Sequence, residues 1–233
     1  MLASIGFSGD LAGGPDRNAG RKTVGSTTVE SRPRLGRDSR REAILDVAAE
    51  VFVEVGYSNA SMSTIAARLG GSKGTLYNYF KSKEELFTAY VLRHCQALQE
   101  AMFELLAEGA DVQAGLTSLG RTYLTEVMSD RTMRNFRVIT AEADRTPEIG
   151  RTFYEAGPLS GAKRLAIFLK AAAEEGRLRL DDPLAAAHQF LGLCQHRMLK
   201  ARLCAVLAEP TPAEIDAEVA AAVKTFVAAF GPA

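Results

Sequence analysis

Apolar residues recur every three or four positions from Ile44 to Phe230, the period of helices buried along one side. Ile44, Val47, Ala48, Val51, Phe52 and Val55 form the first such stripe. Ser39-Arg40-Arg41-Glu42 precedes it as a capping box, and Gly56 supplies a left-handed stop. Ser61 caps a short second helix carrying Ile65, Ala66 and Leu69. Gly70-Gly71 breaks that helix, and Ser72 caps a third over about residues 73–80. Ser82-Lys83-Glu84-Glu85 is a further capping box opening a long helix with Leu86, Phe87, Tyr90, Val91, Leu98, Met102 and Leu105. Helical periodicity continues over 112–128, 132–143, 147–154, 159–175, 183–207 and 212–230. Breaks are predicted at Gly109, Ser129-Asp130, Gly157-Pro158, Gly176 and Glu209-Pro210. No β-branched run alternates with period two, so the fold class is all-α, with about nine or ten helices, three short ones leading.

Residues 1–38 are rich in Gly, Ser, Thr and Arg without a sustained apolar period, and read as a disordered leader. They lack a basic start followed by an apolar stretch, so they do not read as a secretory signal. The pattern then divides into a small head, 39–90, and a larger helical domain, 91–233.

The stretch GGSKGTLYNYF, residues 70–80, carries the most chemistry. Its glycines, lysine and hydroxyls suggest a phosphate-cradling loop, but a Walker loop needs G-x-x-x-x-G-K-[ST] between a strand and a helix. Here Lys73 precedes Gly74 and a helix lies upstream, which excludes a nucleotide loop. Wound as a helix, Leu76 and Phe80 share the buried side. Gly74, Thr75 and Asn78 point outward, flanked by Tyr77 and Tyr79. Two short capped helices across a glycine turn make a helix-turn-helix over about 61–80, and the small polar face suits a DNA groove. Amides at the capped start of the second of these helices suit a backbone phosphate. Lys81 and Lys83 extend the positive edge at its other end.

Charge supports that polarity. The formal net charge is +0, yet residues 1–83 hold 12 Lys and Arg against 8 Asp and Glu, while residues 84–233 hold 16 against 20. A basic front on an acidic back suits a polyanion at one end. Hydrophobic residues are 47% and charged residues 24%, an ordinary globular balance. No run of about 18 apolar residues indicates a membrane span. Cys95, Cys194 and Cys204 show no CxxC spacing, which suggests a reducing, cytoplasmic setting.

The segment STIAARLGGSKGTLYNYFKSKEELF, within about residues 39–90, resembles the DNA-binding domain of TetR-family transcriptional regulators. The resemblance implies a homodimer that reads double-stranded operator DNA, usually as a repressor, with a ligand-sensing helical domain behind the head. Carried over by position, Ser72, Lys73, Gly74, Thr75, Tyr77, Asn78, Tyr79 and Lys83 form the DNA surface, helped by Ser61 and Ser63. The chain departs from the family at Gly71, where a small apolar residue is usual. Losing that contact and adding unfolded-state entropy costs on the order of 1 kcal/mol. Tyr79 also stands where histidine is common. Within about residues 131–195, FRVITAEADRTPEIGRTFYEAGP and GRLRLDDPLAAAHQFLGL resemble the C-terminal domain of the AefR-like branch.

The back half is apolar over broad faces, and such helices need a core or a partner to cover them. Helices 159–175 and 183–207 are the expected dimer pair. A small-molecule effector would lie among the helices starting near Glu84, Val112, Thr132 and Leu159. Candidate lining residues are Phe103, Tyr123, Phe136, Ile139, Phe153 and Phe168, with Arg137 and Glu142 as polar handles. Ordinary core packing is the competing reading of each. No cofactor or metal site is expected, because His188, Cys194 and His196 do not converge on one helix face. Adjacent His94 and Cys95 also point apart, and no hydrolase or protease motif occurs, so no enzyme is expected. The alternative function is a helical ligand-binding or sequestering protein whose head reads no specific operator.

Overall fold

A computed structural model describes residues 36–103 and 111–232; the side chains of Ala101 and Phe103 lie outside the described residues. Phe103 therefore has no assigned role in the cavity below, and residues 1–35 of the expected leader also lie outside. Every regular element among the described residues is a helix: α1 (Arg37–Asn59), α2 (Met62–Arg68), α3 (Lys73–Tyr77), α4 (Lys83–Phe103), α5 (Val112–Met128), α6 (Asp130–Ala143), α7 (Pro147–Tyr154), a π turn (Glu155–Leu159), α8 (Ser160–Glu174), α9 (Pro183–Gln195), α10 (Met198–Leu203) and α11 (Pro212–Phe230). None is long and apolar enough to cross a membrane.

Most helix starts follow local chemistry. Ser61 Oγ accepts the Thr64 amide at 3.1 Å and Ser72 Oγ accepts the Thr75 amide at 3.2 Å, each satisfying an orphan donor. α7, α9 and α11 begin with Pro147, Pro183 and Pro212, where a missing N–H costs nothing. Thr211 and Glu214 form a complete capping box.

Four expectations change. α1 starts at Arg37 without a side-chain cap, because Glu42, the expected partner of Ser39, turns to Arg93 of α4 at 3.0 Å. Gly56 has the expected positive φ of 77° but an extended ψ of 162°, so it kinks the chain into one more turn ending at Asn59. Gly157-Pro158 does not separate two helices. A π turn lets α7 run into α8 past a proline that lacks an N–H. There a Cβ on Gly157 would lie 3.1 Å from Cys95 Sγ, and Gln99 donates to the Ala156 carbonyl while accepting from Ser160 Oγ at 3.0 Å. Finally, the expected helix 183–207 is interrupted at His196–Arg197 and ends at Leu203. Beyond it Ala205 takes a left-handed φ of 56°.

The apolar residues form two clusters. One joins α1, α2, α3 and the first half of α4 around Phe52, Phe87 and Tyr90, and takes Ile139 from α6 and Ile149 from α7. Phe52 and Phe87 meet edge to face with centroids 4.8 Å apart. The other joins α5, α8, α9 and α11 around Leu116, Leu169, Phe190 and Phe226. Gly120 allows this approach, since a Cβ there would sit 2.9 Å from Val219 Cγ1. α4 runs through residue 90 without a break, so the head and the larger domain share one rod.

Candidate nucleic-acid interface and ligand cavity

α2 and α3 are copies of one local design. Each starts at a serine whose hydroxyl also pairs with the threonine three residues on, Ser61 with Thr64 at 2.9 Å and Ser72 with Thr75 at 3.0 Å. Gly70 takes the left-handed φ of 69° between them, and the Gly70 and Gly71 amides close onto Ala67 and Ala66 carbonyls. α3 ends at Tyr77, short of the expected 73–80; Leu76 on it is fully buried, and Phe80 just beyond it is at 2% exposure. They seat the helix so that Ser72, Lys73, Gly74, Tyr77 and Asn78 face solvent, with Thr75 and Tyr79 half-buried. Tyr77 is 48% exposed. Ser63 and Lys81 are exposed, and Ser61 is half-buried at the start of α2.

Lys83 is placed differently. Its ammonium donates to the Tyr57 carbonyl at 2.9 Å and lies 4.2 Å from the Tyr57 ring centroid. It closes the frayed end of α1 as a cation at a helix C-terminus. The Tyr57 hydroxyl donates to Glu84 at 3.1 Å. Burial first, and then the Glu84 carboxylate, holds that phenol above its ordinary range. The Ser82 box is also shifted by one residue: Ser82 accepts the Glu85 amide, but Glu85 accepts from the Lys81 amide.

Behind the head lies an apolar cavity of about 200 Å³ between α4, α5, α6, the π turn and α9. Tyr123, Phe136 and Phe153 line it, together with Leu98, Met133 and Leu191. The remaining expected lining residues lie elsewhere. Ile139 packs into the head cluster, and Phe168 packs against the α5–α11 core. Arg137 donates to the carbonyls of Leu203 and Arg202, tying down the end of α10. Glu142 accepts from Ser58 at 2.9 Å and from Thr146 at 3.1 Å, a link from α6 to the end of α1. The alternation of side chains along α6 was readable in sequence, but which neighbour each face meets was not. Polar residues at the cavity that sequence reasoning missed include Gln99 and Gln195; the latter accepts from Tyr123 Oη at 2.8 Å.

The two buried thiols are poor nucleophiles. Burial pushes Cys95 up to about 11 and Cys194 up to about 12, so neither forms a reactive thiolate near neutrality. Among the described residues no group of three metal-binding side chains gathers.

Residues 44–90 match the family described as bacterial regulatory proteins of the tetR family, and residues 114–232 match the AefR-like transcriptional repressor C-terminal domain. The chain belongs to the TetR family. A TetR-family transcriptional regulator from Mesorhizobium loti is similar with a TM-score of 0.77 and 28% identity, covering 84% of this chain and 100% of that one. The flavonoid-responsive regulator FrrA is similar with a TM-score of 0.74 and 34% identity, covering 84% and 98%. The HTH-type transcriptional activator FasR of Mycolicibacterium smegmatis is 39% identical over 102 residues, 44% of this chain and 46% of that protein. The chain thus spans about half the length of that curated relative. The TetR match contains the whole α2–turn–α3 unit, and the AefR-like match contains α8, α9, α10 and α11.

Proposed function

We propose that the protein is a cytoplasmic transcriptional repressor that holds operator DNA as a homodimer and releases it when a small, largely hydrophobic effector enters the cavity behind the head. The carrying observation is the polar face of α3, with Tyr77, Asn78 and Lys73 outward on a buried Leu76 and Phe80. A helix with its core contacts satisfied and its hydroxyls, amide and cation exposed is built to meet base edges and phosphates. Lys81 adds phosphate attraction, whereas Lys83 supports the head from inside.

The dimer assignment rests on an open apolar groove. Gln189, Gly192 and Leu193 of α9, with His196 just past its end, face Thr225, Ala229 and Phe230 of α11 across it. A second copy laid on by two-fold symmetry buries this groove as a four-helix contact. The outer face of α8 carries Lys163, Lys170 and Glu174 around an exposed Ile167, so α11 is favoured over α8 as the partner of α9 in the pairing. The reading of repression follows the AefR-like repressor match; FasR bears the name of an activator. Effector responsiveness draws support from FrrA, which is named flavonoid-responsive.

Coupling follows from α6. Met133 and Phe136 line the cavity, and Glu142 further along the same helix holds Ser58 at the end of α1. An effector that displaces α6 displaces the head, and release requires tighter effector binding in the displaced state. Tyr77→Ala should lower affinity for promoter DNA next to the protein's own gene by roughly tenfold or more, with the thermal midpoint unchanged. Fluorescence anisotropy on labelled duplex checks this. Equal affinity at matched salt would leave the ligand-sequestering alternative standing instead.

A further inference from the structure

The turn between α2 and α3 has a space on one side, and a residue of α1 reaches it. A Cβ at Gly71 would lie 3.4 Å from the Arg40 guanidinium, so the tip of Arg40 stands beside the place where an apolar side chain at position 71 would pack. Gly70 has a left-handed φ, but Gly71 does not. The backbone at 71 therefore does not require glycine, and what glycine provides is room. A bare Cβ is in ordinary contact at that distance, whereas a branched side chain would compete with the guanidinium. Arg40 arrives there by its place on α1. Ile44, one helical turn further along the same face, is fully buried in the head core, which turns that face toward α2 and α3. The next residue, Arg41, lies over the Phe80 ring at 5.2 Å. Successive arginines of α1 thus reach the two ends of the segment that carries α3.

The charge on Arg40 has no counterpart in the head. Its side chain is half-buried, and among the described residues no hydrogen bond or ion pair engages it. From residue 55 to residue 83 the chain holds no Asp or Glu, so α2, the turn and α3 offer it no carboxylate. On α1 itself, Asp38 projects about 200° away around the helix, and Glu42 is engaged by Arg93 at 3.0 Å and Arg41 at 3.6 Å. Lys73, two residues beyond Gly71, is exposed and equally unengaged. Two cations therefore flank the Ser72 cap, and the anion that suits them must come from outside the chain. A guanidinium presents a planar fork that matches a phosphate with two donors.

We infer that Arg40 is a DNA-binding residue outside the helix-turn-helix: it uses the room left by Gly71 to clamp an operator backbone phosphate beside the start of α3. This rests on reading α3 as the face that enters the groove. Arg40 precedes the 44–90 match to the tetR family, so the clamp is an addition to that unit. Gly71 exchanges a packing contact in the turn for a phosphate contact on the DNA.

Fluorescence anisotropy of the full chain on labelled promoter duplex from next to its own gene, between about 50 and 200 mM salt, tests the clamp. Arg40→Ala should weaken binding roughly tenfold and flatten the slope of log affinity against log salt by about 0.9 for each head engaged, with the thermal midpoint unchanged. Arg40→Lys should keep the slope and recover part of the affinity, since lysine retains the charge without the fork. Gly71→Val should flatten the slope as Arg40→Ala does, and the double variant should add little, because both remove one contact. A natural slope in Arg40→Ala would overturn the clamp, whether or not the thermal midpoint falls; a fall would mark Arg40 as a packing residue. A natural slope in Gly71→Val would overturn the exchange at the turn. Tyr77→Ala, measured alongside, separates the clamp from the reading of α3. If Tyr77→Ala loses affinity and Arg40→Ala does not, α3 stands and the clamp falls; if neither changes binding, both fall.

Discussion

Gly71 in the head and Gly120 in the larger domain are both departures from side-chain packing, and they mean opposite things. A Cβ at Gly71 would meet only the Arg40 guanidinium, at 3.4 Å. A Cβ at Gly120 would strike Val219 at 2.9 Å and reach Phe190 at 3.4 Å. The head is built mostly from neighbours in sequence, with α1 through α4 packing around a handful of aromatic rings and Ile139 and Ile149 of α6 and α7 completing the core. The larger domain is built from distant segments, α5 against α9 and α11, and turns several of its charges inward. A polar substitution in the head's outer face should therefore change binding, whereas one in the larger domain should change stability.

The sharpest break of that contrast is Arg202. It is 4% exposed and donates to the Met128 carbonyl at 3.1 Å, the Leu207 carbonyl at 3.0 Å and Asp130 at 2.6 Å. Arg202→Ala should cost about 3 kcal/mol in urea unfolding, because it strands carbonyls that water reaches poorly. The hydrogen bond from Arg202 holds the Asp130 carboxyl below its ordinary range. A depressed folded-state pKa stabilises above the unfolded value, so this contribution disappears as pH falls through the carboxylate range. Acid titration of the variant should accordingly show a shallower stability loss than the natural chain.

Next in size is Gly120→Ala, expected to destabilise by about 2 kcal/mol through overpacking of α5 on α11; a neutral thermal midpoint would mean the helices separate freely. Lys83→Ala tests the head from within. It removes a carbonyl hydrogen bond and a cation over an aromatic ring, for about 1 kcal/mol. Its signature against Tyr77→Ala is a lowered unfolding midpoint with operator affinity of the folded fraction preserved. The smallest effect is a gain: Gly71→Ala should stabilise by about 0.5 kcal/mol by narrowing the unfolded ensemble. Loss of stability there would show that the turn needs glycine.

Legibility followed the distance over which each feature is decided. The boundaries of α5, α7 and α11 are those the periodicity and Pro signals predict, since caps and N1 prolines act within one turn. The end of α10 carried no such mark: Ala205 adopts a left-handed φ with no glycine, while Arg202 and Arg137 fix the carbonyls around it. Glu42 likewise forms a plausible local box with Ser39, yet an arginine 51 residues away takes it. Ionic partners across a fold override a local cap of similar strength.

The sequence by itself determined the all-α class, the two capped short helices and the outward polar face of the second, because hydrophobic period and serine caps act locally. Only the tertiary structure decided that Lys83 bonds the end of α1 and that Glu142 and Arg137 tie helices together. Those outcomes depend on which distant helix lies opposite each side chain, and a helical period specifies a face without specifying its neighbour.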